Sequence, residues 1–182
     1  YDVLITACLL HDIGRKEQFA NPSVCHAAVG GEKAYRFLLE QGFSEEFAEL
    51  VKNCITTHRY RKNNLPKSVE AKILFDADKL DVTGAMGIAR TLLYHGEVGE
   101  RLYTVLPDGR VSDGTNDLEE TFFKEYKRKL ENLYTKFFTK RGAELAAGRE
   151  KAAKEFYHHL LSEIRESHAY GQDVFAEVIV EE

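Results

Sequence analysis

Proline is scarce in this chain: Pro22, Pro66 and Pro107 are the three in 182 residues, so little interrupts helix formation. Alternating β-branched runs are also scarce, which argues against an extended sheet. The three cysteines, Cys8, Cys25 and Cys54, include no CxxC pair. So small and odd a set argues against a disulfide framework and reads as reduced thiols of a cytoplasmic protein. Apolar runs stay well short of 18 residues, so no membrane span is expected. Net charge is −5 with acids and bases well mixed; without a basic stripe, no stable nucleic-acid complex is expected. GxGxxG after a strand and a GxSxG elbow are both missing, which argues against hydride-transfer and acyl-transfer enzymes. No internal repeat and no signal peptide are visible, and the first residue is Tyr1, not Met.

What is present is a globular composition, 43% apolar and 30% charged, long enough for one sizeable core. Most of the chain reads as helix. Residues 2 to 11 form an apolar helix that stops before Gly14. Asn21-Pro22-Ser23 is a turn and a helix start. From Val24 to about Gln41, Val29, Ala34, Phe37 and Leu38 keep helical spacing, and Gly42 ends the run. Ser44-Glu45-Glu46 opens the next helix with a capping side chain and acids in its first turn. That helix carries Phe47, Leu50, Val51, Cys54 and Ile55 into His58. After the basic loop 59–66, Ser68 begins a helix through Asp76, Asp78 and Asp81 that continues to about Leu93, with Gly84 and Gly87 allowing close helix packing or a kink. The expected organisation is a helical core over 1–93, a glycine-rich loop or small hairpin over 94–117, and C-terminal helices over 118–182. Those helices are expected at 118–138 and 142–165, packing on the same domain or supporting a homodimer. The tail 174–182 is expected as a strand or a free end.

The stretch ACLLHDIGR at residues 7–15 raises the chemical question. Charged groups inside a fold are costly unless they are paired or hold a metal. His11-Asp12 is followed by His26, His58 and Asp78, each near a helix end or on an inner face. One His on an apolar face is usually a packing residue, but five such side chains on converging helices can build a metal centre. Imidazole with carboxylate suits Mn, Fe, Co, Ni or Zn better than Ca or Mg alone. Cys25, beside His26, is a minor candidate ligand. Asp76 and Asp81 are expected to orient ligating histidines or to cap helices. His95, His158, His159 and His168 read as surface or packing residues.

These motifs resemble the HD-domain superfamily of metal-dependent phosphohydrolases, whose pattern is His, then His-Asp, then a distant Asp. LLHDIGR at 9–15 matches the His-Asp element, and DADKLD at 76–81 resembles the closing element. HAAVGGEKA at 26–34 and ITTHRY at 55–60 resemble the extra histidines of the two-metal branches. DADKLDVTGAMGIAR at 76–90 and the late helices resemble a subgroup of small bacterial HD hydrolases. The resemblance implies an all-α, phosphodiesterase-like helical bundle with one or two divalent ions (Mn, Fe, Co, Ni, Zn or Mg). It implies His11, Asp12 and Asp78 on a first ion, with a further His expected upstream of Tyr1. His26 and His58 then hold a second ion, with Asp12 bridging, because a carboxylate has two oxygens to share. Some relatives carry a catalytic Glu three residues after the motif Asp. Here that position is Arg15, which stays protonated and suits a phosphate clamp.

The implied activity is hydrolysis of a phosphate mono- or diester, of a nucleotide or related metabolite, by a metal-activated water. His11, Asp12, Arg15 and Lys79 make up the expected catalytic set. Arg15, Arg59, Lys79 and Arg90 are the expected contacts to the phosphorylated substrate, Arg being suited to bidentate phosphate contact. Arg61 and Lys62 read as surface cations, and Tyr94 and Tyr103 as candidates to cover the pocket. A non-catalytic, metal-containing module that binds or senses nucleotides is the alternative.

Overall fold

Gly42 and Ser44 set the joint between the two helices that matter most to the site. The computed structural model describes residues 1–59 and 63–180. α1 is Asp2–Leu10, α2 is Arg15–Ala20, α3 is His26–Glu40 and α4 is Glu45–Thr57. α3 ends as expected, with Gly42 at φ +83°. The Phe43 and Gly42 N–H groups donate to the Leu38 and Leu39 carbonyls at 3.0 Å each, the double-bonded finish that a left-handed glycine permits. Two residues on, the Ser44 hydroxyl accepts from the Phe47 N–H at 3.2 Å and opens α4.

The described residues fall into two compact units, residues 1–79 with 137–142 and residues 80–136 with 143–182. In the first unit, helical spacing builds the core. Ala7 of α1, Ala34 and Leu38 of α3, and Ala48, Val51, Cys54 and Ile55 of α4 pack with Ala71 and Leu74 of α5 (Val69–Leu80). Burying a Leu or Ile stabilises by roughly 1.5–3 kcal/mol. The prevalence of alanine lets the helix axes approach closely. Gly31 serves the same end, because a Cβ there would lie 2.5 Å from the Thr56 methyl of α4. Asp76, 3% exposed, takes the capping arm of its expectation. Its carboxylate accepts from the Phe138 and Thr139 N–H groups at 2.9 and 2.7 Å and from the Thr139 hydroxyl at 2.6 Å. These are the residues just before α8 (Lys140–Val180).

In the second unit the expected continuous helix to Leu93 is instead broken at residues 81–83. α6 runs Gly84–Val98. Gly84 has φ +65°, and its N–H donates to the Tyr134 hydroxyl at 3.0 Å. The Arg149 guanidinium takes the Leu80 carbonyl at 2.9 Å, closing the end of α5. The excursion contains a small hairpin, with Val105 bridged to Val111 and the Leu106 N–H donating to the Arg110 carbonyl at 2.8 Å. The late helices differ from expectation at both ends. The first is only α7 (Phe122–Glu125) running into a π-helical turn, Tyr126–Leu130, capped by the Thr121 hydroxyl. Here Phe122, Phe123, Tyr126 and Leu130 are all buried, and Tyr126 stacks on Tyr157 of α8 at 4.0 Å. The second does not stop at Arg165; α8 runs to Val180, because nothing after Arg165 breaks it but one tolerable glycine, Gly171. The tail is therefore helical to Val180; Glu181 and Glu182 lie outside the described residues. Among the described residues, no helix is long and apolar enough to cross a membrane.

Candidate metal centre

His11 stands at the C-terminal end of α1, Asp12 in the turn after it, His26 at the first residue of α3 and His58 at the end of α4. Gly14 brings these ends together. A Cβ at Gly14 would meet the His26 carbonyl oxygen at 2.3 Å and the Gly30 nitrogen at 2.7 Å, so only glycine lets the HDIG turn lie against the first turn of α3. Gly14 thus serves both the turn after α1 and backbone-to-backbone packing on α3.

Around this turn, carboxylate and imidazole oxygens and nitrogens converge. Asp12 Oδ1 lies 3.4 Å from His26 Nε2 and 3.9 Å from His58 Nε2, and Asp12 Oδ2 lies 3.5 Å from His11 Nε2. The two buried imidazoles face each other, with His26 Nε2 3.1 Å from His58 Nε2. Among the described residues, Asp12, His26 and His58 form the set whose ligand atoms all lie within 4.8 Å of one another. His11 and Asp78 fall outside that set. His11 sits beside Asp12 and edge-on to His58, with ring centroids 5.4 Å apart.

Hydrogen bonds fix which nitrogen is free. His58 Nδ1 is 2.6 Å from the Ile55 carbonyl and His11 Nδ1 is 2.7 Å from the Cys8 carbonyl. A carbonyl only accepts, so both rings carry their proton on Nδ1 and turn an Nε2 lone pair toward Asp12. His26 Nδ1 is bonded to the Gln18 side-chain oxygen, which likewise leaves Nε2 as a lone pair. Two lone pairs 3.1 Å apart beside a carboxylate repel unless a proton or a cation lies among them. One ion about 2.1 Å from two nitrogens holds them roughly 3.0 Å apart at right angles and roughly 3.4 Å apart in a tetrahedron. The donor set and its spacing therefore fit a divalent cation.

Electrostatics agree with neutral, ligating imidazoles. Burial pushes His26 down to about 4, with the Arg15 and Arg59 charges and His58 acting the same way and Asp12 opposing. Burial also lowers His58, against the Ile55 carbonyl and Asp78. Burial alone would raise Asp78, but the adjacent Lys79 ammonium outweighs it, with His58 and His11 adding to the effect, and the carboxyl lies below its usual range.

The expected cations take definite places. Arg15, the first residue of α2, donates from Nε to Asp12 Oδ1 at 2.9 Å. Lys79 donates to Asp78 Oδ2 at 2.5 Å and to the His58 carbonyl at 3.4 Å. Arg59 points a guanidinium N–H at Cys25 Sγ at 3.9 Å, so the sulfur's neighbour is a cation. Burial would raise the Cys25 thiol, yet the Ala28 and Ala27 N–H groups and Arg59 leave it below the usual range. Arg90 lies on α6 in the second unit and pairs with Asp81 at 2.6 Å. Asp81 thus pairs with an arginine, while Arg61 and Lys62 lie outside the described residues. Of the other histidines, His158 and His159 are exposed, while His95 is buried 2.7 Å from a Glu100 oxygen. His168 lies against the Gly109 carbonyl. Gln18 is the residue that sequence reasoning missed. It lies on α2, a six-residue helix too short for apolar periodicity to reveal.

Residues 2–83 match the model of the HD domain. The chain carries an HD domain. Its fold is shared with an HD-superfamily hydrolase from Bacillus thuringiensis, at 28% identity and a TM-score of 0.60 over 88% of this chain and 72% of that one. A predicted HD-superfamily hydrolase from an uncultured Thermotogales bacterium is 29% identical, with a TM-score of 0.54 over 88% of this chain and 67% of that one. The uncharacterized protein YpgQ of Bacillus subtilis is 33% identical over 105 residues, 56% of this chain. The match spans 49% of that relative's length. A crystal structure of YpgQ in complex with ADP has the same fold, with a TM-score of 0.57 at 23% identity over 89% of this chain and 87% of that one. HD domains bind divalent metals, and in this HD domain Asp12, His26 and His58 could hold one.

Proposed function

We propose that this HD domain is a metal-dependent phosphohydrolase acting on a phosphate ester of a nucleotide or related metabolite. The observation that carries this reading is the convergence of Asp12, His26 and His58, with lone pairs turned to one point and arginine and lysine beside them. Asp12, His26 and His58 would hold the ion, and His11 and Asp78 are the family's further candidates at this site. A divalent ion supplies two things there: a lower pKa for water, from 15.7 toward roughly 7, and positive charge against phosphoryl oxygens.

The protein's own groups do the rest. Burial keeps the imidazoles of His26 and His58 neutral near pH 7, so they remain donors to a cation. Asp12 is the central carboxylate, and Arg15 holds its Oδ1 in place. An Arg carries five N–H donors in a planar fork, and Arg15 spends its Nε on Asp12; the rest of the fork suits a phosphate. Lys79 screens Asp78, and Arg59 adds positive charge near His26. ADP bound by the relative YpgQ makes nucleoside phosphates the first substrates to test. The free thiols Cys8, Cys25 and Cys54 suit a reducing cytoplasm.

Turnover of p-nitrophenyl phosphate, bis-p-nitrophenyl phosphate and a nucleotide panel with added Mn²⁺ tests the proposal. Metal-dependent product release from at least one of them, abolished in Asp12→Ala, is expected. Metal binding without turnover on any of them would leave a binding module and overturn the hydrolase.

A further inference from the structure

Gln18 presents a puzzle of chemistry. His58 and His11 rest their Nδ1 protons on backbone carbonyls, groups that can only accept. His26 alone of the three rests Nδ1 on a side-chain amide, which can accept through oxygen or donate through nitrogen. The difference matters because His26 Nε2 lies 3.1 Å from His58 Nε2, and His58 is locked with a lone pair there. Without a cation, a lone pair on His26 Nε2 faces that of His58 and the anionic Asp12 Oδ1, 3.4 Å away.

We propose that Gln18 is a positioning residue that serves both tautomers of His26, one with the cation bound and one without it. With a cation among Asp12, His26 and His58, the Gln18 oxygen accepts from Nδ1–H and Nε2 is the ligand. Without a cation, His26 carries its proton on Nε2 and donates it to His58 Nε2, while the Gln18 amide turns over and donates its N–H to Nδ1. One proton moves from Nε2 to Nδ1 on loading, relayed by water, and the net proton count of the ring is unchanged. The amide rotates about its last side-chain bond, and no backbone moves. Either way every polar atom of the pair is satisfied, which a buried site requires. A Glu at 18 serves only the ligating tautomer, and an apolar residue serves neither.

The inference rests on the reading that these three residues hold a cation, and the experiment separates the two. Protein labelled with ¹⁵N at histidine is examined by long-range imidazole NMR, first after chelation and then with one equivalent of diamagnetic Zn²⁺. The expected result is a His26 ring protonated on Nε2 in the chelated protein and on Nδ1 in the loaded one, with His58 on Nδ1 throughout. Gln18→Glu should hold His26 on Nδ1 in both states and bind Zn²⁺ at least as tightly as the unaltered protein. Gln18→Met should bind Zn²⁺ roughly 10–100-fold more weakly, the range for losing a partner that orients a ligating His. Zn²⁺ binding with His26 on Nδ1 in both states of the unaltered protein overturns the role of Gln18 alone. Failure to bind Zn²⁺ at all overturns the metal centre, and this inference with it.

Discussion

Replacing Gly14 by Ala places one methyl group where the HDIG turn meets α3. That carbon would sit 2.3 Å from the His26 carbonyl oxygen and 2.7 Å from the Gly30 nitrogen, against an ordinary contact of 3.4–4 Å. Both neighbours are backbone, so no side chain can swing aside. The first turn of α3 must retreat by roughly 1 Å, and over-packing of this kind costs about 1–3 kcal/mol. The retreat carries His26 with it and widens its 3.4 Å approach to Asp12. A misplacement near 1 Å in a site of this kind weakens function by about 100-fold. Gly148→Ala is the control: this exposed position on α8 has nothing within 4 Å of the added carbon. It should gain roughly 0.8–1 kcal/mol from helix propensity. Urea melts and Zn²⁺ titration of both variants give the comparison. A Gly14→Ala protein as stable as Gly148→Ala and equal to the parent in Zn²⁺ affinity would refute the packing argument.

Three further outcomes follow from particular groups. His26 has a folded pKa of about 4 against roughly 6.5 unfolded, so the unfolded chain binds the extra proton between those values. The stability of the chelated protein is therefore fully present above about pH 6.5 and falls as the pH drops toward 4. This group contributes up to roughly 3 kcal/mol, and urea melts of His26→Leu should show a shallower slope; an identical slope contradicts the shift. Asp76→Ala leaves the Phe138 and Thr139 N–H groups and the Thr139 hydroxyl without their acceptor. It should cost roughly 2–4 kcal/mol in a urea melt while leaving Zn²⁺ affinity unchanged; loss of affinity would mean that Asp76 serves the site as well as α8. Chelation should lower the melting temperature, and free metal at 100 times its Kd should return about 2.7 kcal/mol; a melting curve indifferent to chelator would speak against a resident ion.

The helices around the site were legible because their signals are local. Gly42 and Ser44 mark the α3–α4 joint by conformational preference and side-chain capping, and both behave as the sequence predicts. The convergence of Asp12, His26 and His58 was visible only as a set of chemically apt residues on helix ends. Their grouping depends on Gly14 and Gly31, whose value lies in contacts to distant backbone and side chains that no local pattern reveals. Asp76 takes the helix-capping arm of its expectation, but the N–H groups it accepts from lie 62 and 63 positions away, where no local pattern points. Helix lengths in the second unit were misjudged for a similar reason. The break at 81–83 rests on Tyr134 and Arg149, and the extension of α8 past Arg165 needed only the absence of a strong breaker.

Calorimetric titration of chelated protein with Mn²⁺ or Zn²⁺, alongside Asp12→Ala and His58→Leu, tests the central assignment most directly. The account predicts stoichiometric binding to the unaltered chain and loss of that binding in both variants, with the helical circular dichroism of each retained. Undiminished binding in both variants, or no binding to the unaltered chain, would contradict it.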